Sequence, residues 1–195
     1  MTPRGAESYR VSRRTVWQAD PPRSIAGVVN ELIPRTGFPA SRAADLVAPV
    51  ADRLWIMLHA CDLQARKCLV FARICALRAL RLWTGPYPEH VARYLRTGKR
   101  VFLPEAREAV LPLAGDAESA AKWAIVVPLI EFDRIDLEIG RWAKASPASR
   151  AEKAAAAARK AGVWGESQIT DLLIVMRTHP SVLARLMAAG HYEKN

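Results

Sequence analysis

The chain reads as an all-α protein, a helical bundle around one long central helix with a helix-turn-helix-like segment at its carboxyl end. Three observations carry that reading. Glycine is scarce, ten in 195 residues, while 51% of the chain is apolar and alanine and arginine dominate, a composition that favours helices over sheets. Apolar residues recur at alternating spacings of three and four from Ala44 to Leu82, the period of a helix packed along a seam. Beyond Ser146 the chain breaks into short apolar-periodic runs divided by glycine and proline, the punctuation of successive helices.

Residues 1–40 read as a basic amino-terminal arm and loop. Arg4, Arg10, Arg13, Arg14 and Arg23 face only Glu7 and Asp20 over the first 24 residues, and Pro21-Pro22 interrupts the run. Such a stretch is expected to be mobile and solvated, or to follow phosphates. A short helix over 24–32 can be capped by Ser24, after which Pro34, Gly37 and Pro39 impose a loop. The first ten residues lack the apolar run of a secretory signal. No segment reaches the ~18 uncharged apolar residues of a membrane span.

Residues 41–145 read as the bundle core. The central helix is expected over 41–83, capped by Ser41, bent at Pro49 and stopped by Thr84-Gly85-Pro86. Its seam is Ala44, Val47, Ala51, Leu54, Leu58, Cys61, Ala65, Cys68, Ala72, Cys75, Ala79 and Leu82. The second half holds only cysteine and alanine up to Ala79, so a partner helix can approach closely. That seam belongs inside the bundle or in a homodimer contact through Cys61, Cys68 and Cys75. A shared metal is excluded, because seven helical residues rise about 10.5 Å and zinc–sulfur bonds are about 2.3 Å. A disulfide is excluded too, since it needs Cα atoms within about 7 Å. With three cysteines and no disulfide framework, the expected location is cytoplasmic. Arg66, Lys67, Arg73, Arg78 and Arg81 lie off the seam, where snorkelling at a bundle surface and phosphate contact both fit.

Downstream, a short helix ending near Leu95 is closed by Gly98, residues 99–103 form the one plausible strand, and 104–110 supply a helical turn or two. A second long helix should start at Asp116 or Ser119 and run to about Lys144 with a kink at Pro128. Phe132, Ile135, Ile139 and Trp142 give it an amphipathic seam. Residues 115–145 hold six acids against four bases, and no histidine lies among them, so a solvated acidic face fits better than a metal site. No phosphate loop, dinucleotide fingerprint, nucleophile elbow or zinc-protease motif is present. The four histidines are dispersed, and no catalytic residue, cofactor or metal ligand is assigned.

Residues 146–195 form the third segment, with helices expected over 149–161, 167–177 and 181–189 and a turn at Gly162-Val-Trp-Gly165. Two short helices across a glycine turn are the helix-turn-helix pattern. Ile169, Leu172, Leu173, Met176, Pro180, Val182 and Gly190 stand in the order of the recognition-helix region of the ParB partition family, including its KorB-type repressors, and the segment resembles that family over about 45 residues. The resemblance implies that Glu166, Ser167, Gln168 and Thr170 face base edges while Arg159, Lys160 and Arg177 hold phosphates. The turn is longer than that family's and its G-E-R-R nucleotide box is absent, so partition activity and CTP use are not implied. A shorter stretch, Ala79-Leu80-Arg81-Leu82-Trp83-Thr84 followed by Tyr94-Leu95 and Gly98-Lys-Arg100-Val101, is similar to part of the FinO/ProQ RNA-chaperone domain.

The formal charge of +10 points to a polyanionic partner, DNA, RNA or an anionic membrane face. The expected function is a nucleic-acid-binding regulator of a plasmid or phage, a repressor or partition-like accessory protein. The rival expectation is a non-enzymatic helical protein that inhibits or assembles with a protein complex, such as a conjugation or fertility-inhibition factor.

Overall fold

A computed structural model describes residues 9–85, 88–110, 115–125 and 145–193. The expected seam of Phe132, Ile135, Ile139 and Trp142, the kink at Pro128, the acidic residues beside them and the first eight residues of the arm lie outside these. The described chain is mostly helical. A two-stranded antiparallel ladder, β1 (Arg10–Val11) with β2 (Phe38–Pro39), is its one sheet.

From Tyr9 on, the amino-terminal segment is packed on the protein rather than a solvated arm. Helices α1 (Arg13–Gln18) and α2 (Arg23–Leu32) follow β1, and Val11, Val16, Ile25, Val29 and Ile33 are fully buried. Ser12 and Thr15 cap α1 reciprocally. Arg13, expected at the solvent or on phosphates, closes the other end of this unit. Its Nη2 donates to the Asn30 carbonyl at 2.7 Å and its Nε to the Ile33 carbonyl, satisfying acceptors that the end of α2 leaves open.

The expected central helix is divided. After the short α3 (Ala40–Ala43), α4 (Val50–His59) and α5 (Ala65–Ala79) are separate helices, and Asp62 between them has φ +48°. No glycine or proline marks the break. Cys61 and Leu63 are buried on either side of exposed Asp62, so burial of two side chains outweighs an intact helix ladder, and aspartate tolerates the left-handed backbone. The seam therefore fails at Val47, 91% exposed, at exposed Ala51 and Ala65 and at Leu82, 38% exposed, and holds from Cys68 to Ala79. The expected strand at 99–103 is also absent. A 3-10 turn covers Arg100–Phe102, and α7 (Leu103–Val110) starts directly after it.

The centre of the protein is a trio of helices, α5, α8 (Asp116–Ile125) and α9 (Pro147–Lys160), each packed on the other two. Small residues make this contact. Cys68, Ala72, Cys75, Ala76 and Ala79 of α5 meet a bundle lined by Ala117, Ala120, Ala121 and Ala124 of α8 and Ala151, Ala154, Ala155 and Ala158 of α9, all buried. Helices without bulky side chains can approach closely. The cysteine seam expected as a homodimer contact is thus covered by the chain's own helices. Burial pushes the Cys61 and Cys68 thiols up to about 12, so these side chains act as small packing groups.

Around the trio sit α6 (Pro88–Thr97), α10 (Gly165–Arg177) and α11 (Pro180–Ala188). Polar anchors hold the outer elements. Glu118 on α8 accepts from the Thr84 N–H, the Thr84 hydroxyl and the Gly85 N–H at 2.9, 3.1 and 3.1 Å. His59 of α4 meets Glu152 of α9 at 3.0 Å and stacks on Trp55. Arg96 of α6 pairs with Glu193 near the carboxyl end.

Candidate nucleic-acid interface

Local sequence places α10 firmly. Helix α9 ends at Lys160, Gly162 takes φ +109°, and the Val163 N–H reaches back to the Ala158 carbonyl at 2.9 Å, the glycine-dependent end of a helix. Gly165 opens α10, and a Cβ there would lie 3.0 Å from a Val50 methyl and 3.3 Å from the Arg159 Cδ. Glycine at 165 thus lets α10 start hard against α4. At the far end the His179 side chain caps α11, with Pro180 as its first residue.

Of the seven residues expected to meet nucleic acid, three are engaged internally. Gln168 is fully buried. Its amide donates to the Ala155 carbonyl at 3.0 Å and accepts from Arg159 Nη1 at 2.8 Å. Neither Gln168 on a base edge nor Arg159 on a phosphate is compatible with that arrangement. Both spend their polar atoms closing the α9–α10 corner, and burial lowers the Arg159 guanidinium from its ordinary value. Glu166 forms an ion pair with Arg53 of α4, whose Nη1 donates to the Ala44 carbonyl at 2.7 Å. One turn further on, buried Asp171 takes both nitrogens of an Arg78 fork, the Nη2 bond being 2.9 Å. The Tyr192 ring lies 5.7 Å from the same guanidinium. Lys67 is buried as well, donating to the Met176 carbonyl.

The other four stay at the surface. Lys160, Thr170 and Arg177 are exposed and Ser167 is half-buried. The Ser167 hydroxyl donates to the Trp164 carbonyl at 2.7 Å and the Thr170 hydroxyl to the Glu166 carbonyl at 3.2 Å. Each oxygen keeps lone pairs for an outside donor. Positions 167, 170 and 177 recur at helical spacing along the outer edge of α10. Trp164, 72% exposed, stands at its start. Arg53 and Asp171, which help fix this helix, carry no signal in the sequence, and Arg78, expected at a bundle surface or on phosphate, is paired with Asp171 instead. Their partners are about a hundred residues away, and no local pattern reports such a pairing.

Among the described residues no group of histidine, cysteine, aspartate and glutamate is arranged to hold a metal ion, and no helix is long and apolar enough to cross a membrane. Comparison with protein-family models, with curated proteins and with solved structures gave no match.

Proposed function

We propose that the chain is a nucleic-acid-binding protein, a regulator acting on plasmid or phage DNA, that meets phosphates through the outer edge of α10 and the end of α9. The observation that carries this reading is the stripe of half-buried Ser167 and exposed Thr170 and Arg177, flanked by Lys160 and Trp164, on a chain of formal charge +10. Lys160 and Arg177 supply phosphate contacts, Ser167 and Thr170 are the residues left to touch base edges, and the Trp164 face suits base stacking. With Gln168 and Glu166 engaged elsewhere, little base-specific readout remains. The reading therefore favours affinity dominated by phosphates over strict sequence choice.

The test is binding of a labelled random duplex and a labelled single-stranded RNA across a salt series. The log of affinity should fall linearly with log salt between about 50 and about 200 mM. No shift of either nucleic acid at the low-salt end would remove this function.

One observation favours the rival, a helical interaction protein. Val47 and Trp164 are 91% and 72% exposed, and Arg53 ties their segments together through Ala44 and Glu166. Retention of a protein partner that Trp164→Ala abolishes, with no nucleic acid bound, supports that alternative.

A further inference from the structure

A second feature, independent of the nucleic-acid reading, is a cavity that none of the α10 residues lines. It measures about 270 Å³ and opens between α5, α6, α9 and α11. Arg66 and Arg73 reach it from α5 and Arg150 from α9, with Tyr94, Thr97 and Gly98 along one wall. No carboxylate stands among its described lining residues.

Arg73 is set in place before any ligand arrives, and Arg150 is enclosed by the fold. Arg73 Nε donates to the Leu95 carbonyl at 2.9 Å, near the end of α6. That bond leaves Nη1 and Nη2 for another acceptor. Gly98, at φ +63°, stops α6, and a Cβ there would overlap the Arg73 guanidinium. Glycine at 98 serves both the left-handed backbone and the space the guanidinium fills. Arg150 is 1% exposed, and its Nε and Nη2, both buried, have no hydrogen-bond partner among the described residues. A buried guanidinium without an acceptor is costly. Arg107 adds positive charge beside Arg150, and the Tyr94 phenol lies within electrostatic reach of Arg73, Arg107 and Arg150.

We propose that this cavity binds a small phosphate-bearing anion, contacted by the Arg73 guanidinium and by Arg66 at its mouth, with the buried Arg150 charge in the wall behind them adding attraction. Guanidinium forks match the paired oxygens of a phosphoryl group, and a dianion offsets three cations better than a single carboxylate does. At about 30 Å³ per water the space equals roughly nine waters, more than a bare phosphate fills. Val70, Met187 and Pro180 line the remainder, which suits a short carbon body. Free phosphate and a small phosphate monoester share this chemistry.

Calorimetry of the full chain with inorganic phosphate and with glycerol 3-phosphate tests the site. Saturable binding is expected, weakened at least about tenfold, a step of ~1.4 kcal/mol, in both Arg150→Met and Arg66→Gln. In phosphate-free buffer Arg150→Met should unfold at the same or a higher temperature than the parent, because an apolar side chain of similar length replaces an uncompensated charge. Arg66 is exposed, so Arg66→Gln keeps the test valid should Arg150→Met fold poorly. Tighter binding of glycerol 3-phosphate identifies a monoester as the ligand, equal binding identifies free phosphate, and either supports the site. Absence of heat from both probes up to about 10 mM, or unchanged affinity in the variants, overturns it. Lys160→Gln with Arg177→Gln should leave phosphate binding untouched, which separates this site from the α10 edge.

Discussion

Helix α10 and the arginine cavity use the same side chain to opposite ends. On the inner side of α10, Arg53, Arg78 and Arg159 each find an acceptor on that helix, in Glu166, Asp171 and Gln168. In the cavity Arg66, Arg73 and Arg150 converge with no carboxylate among its described walls. What an arginine does is therefore decided by the acceptor the fold brings to it. Two of the four polar residues expected at base edges, Glu166 and Gln168, are instead engaged inside the protein. Arg150, set at the head of an alanine run, is the buried one whose Nε and Nη2 find no partner among the described residues.

The strongest way to break this comparison is to cut the pair that holds α10. Asp171→Ala leaves the Arg78 guanidinium without its carboxylate inside the protein, and a loss of about 3–5 kcal/mol is expected in urea unfolding. Gln168→Ala removes an amide that satisfies Arg159 and the Ala155 carbonyl, for an expected loss of about 1–3 kcal/mol. Costs below about 0.5 kcal/mol, the size of ordinary surface changes, would mean that α10 is docked loosely and free to act as an independent reader.

Glu118 sharpens the contrast by pH. Burial acts to raise its carboxyl, but hydrogen bonds from the Thr84 N–H, its own N–H, the Thr84 hydroxyl and the Gly85 N–H outweigh that and hold it below the ordinary 4.5. A depressed carboxyl stabilises the fold above its unfolded value and loses that contribution as pH falls through the folded one. Stability should therefore drop as the medium is acidified below pH 4.5, and Glu118→Gln should flatten that part of the acid limb in a series of urea midpoints. An unchanged acid limb in the variant would show that Glu118 does not carry it.

Much of the fold was legible because helix ends are local chemistry. Gly162 and Pro180 mark the end of α9 and the start of α11 in the sequence and do so in the structure, whereas α9 and α10 each start two residues before their expected positions at 149 and 167. The small-residue seam from Cys68 to Ala79 was legible as a packing face, although its partners are the chain's own α8 and α9. The break at residues 60–64 was not, since it follows from burying Cys61 and Leu63 rather than from any breaker residue. Of the amino-terminal helices, α2 was legible as a short helix over 24–32, with Ile25, Val29 and Ile33 recurring every four residues, whereas α1 was hidden by its arginines. In the candidate interface the residue types could be read and their acceptors could not. Gln168 and Thr170 are two positions apart on one helix and differ only in which side faces the core.

The smallest structural effect belongs to the exposed cations and gives the most direct measurement. Lys160→Gln with Arg177→Gln should change stability by no more than about 0.5 kcal/mol. The salt dependence of duplex DNA binding, measured on the parent and this double variant, tests whether the free edge of α10 is where nucleic acid is met. A parent slope that the double variant reduces by about two, one for each cation removed from a phosphate, is the predicted result. Identical slopes, or no binding by the parent at low salt, would contradict it.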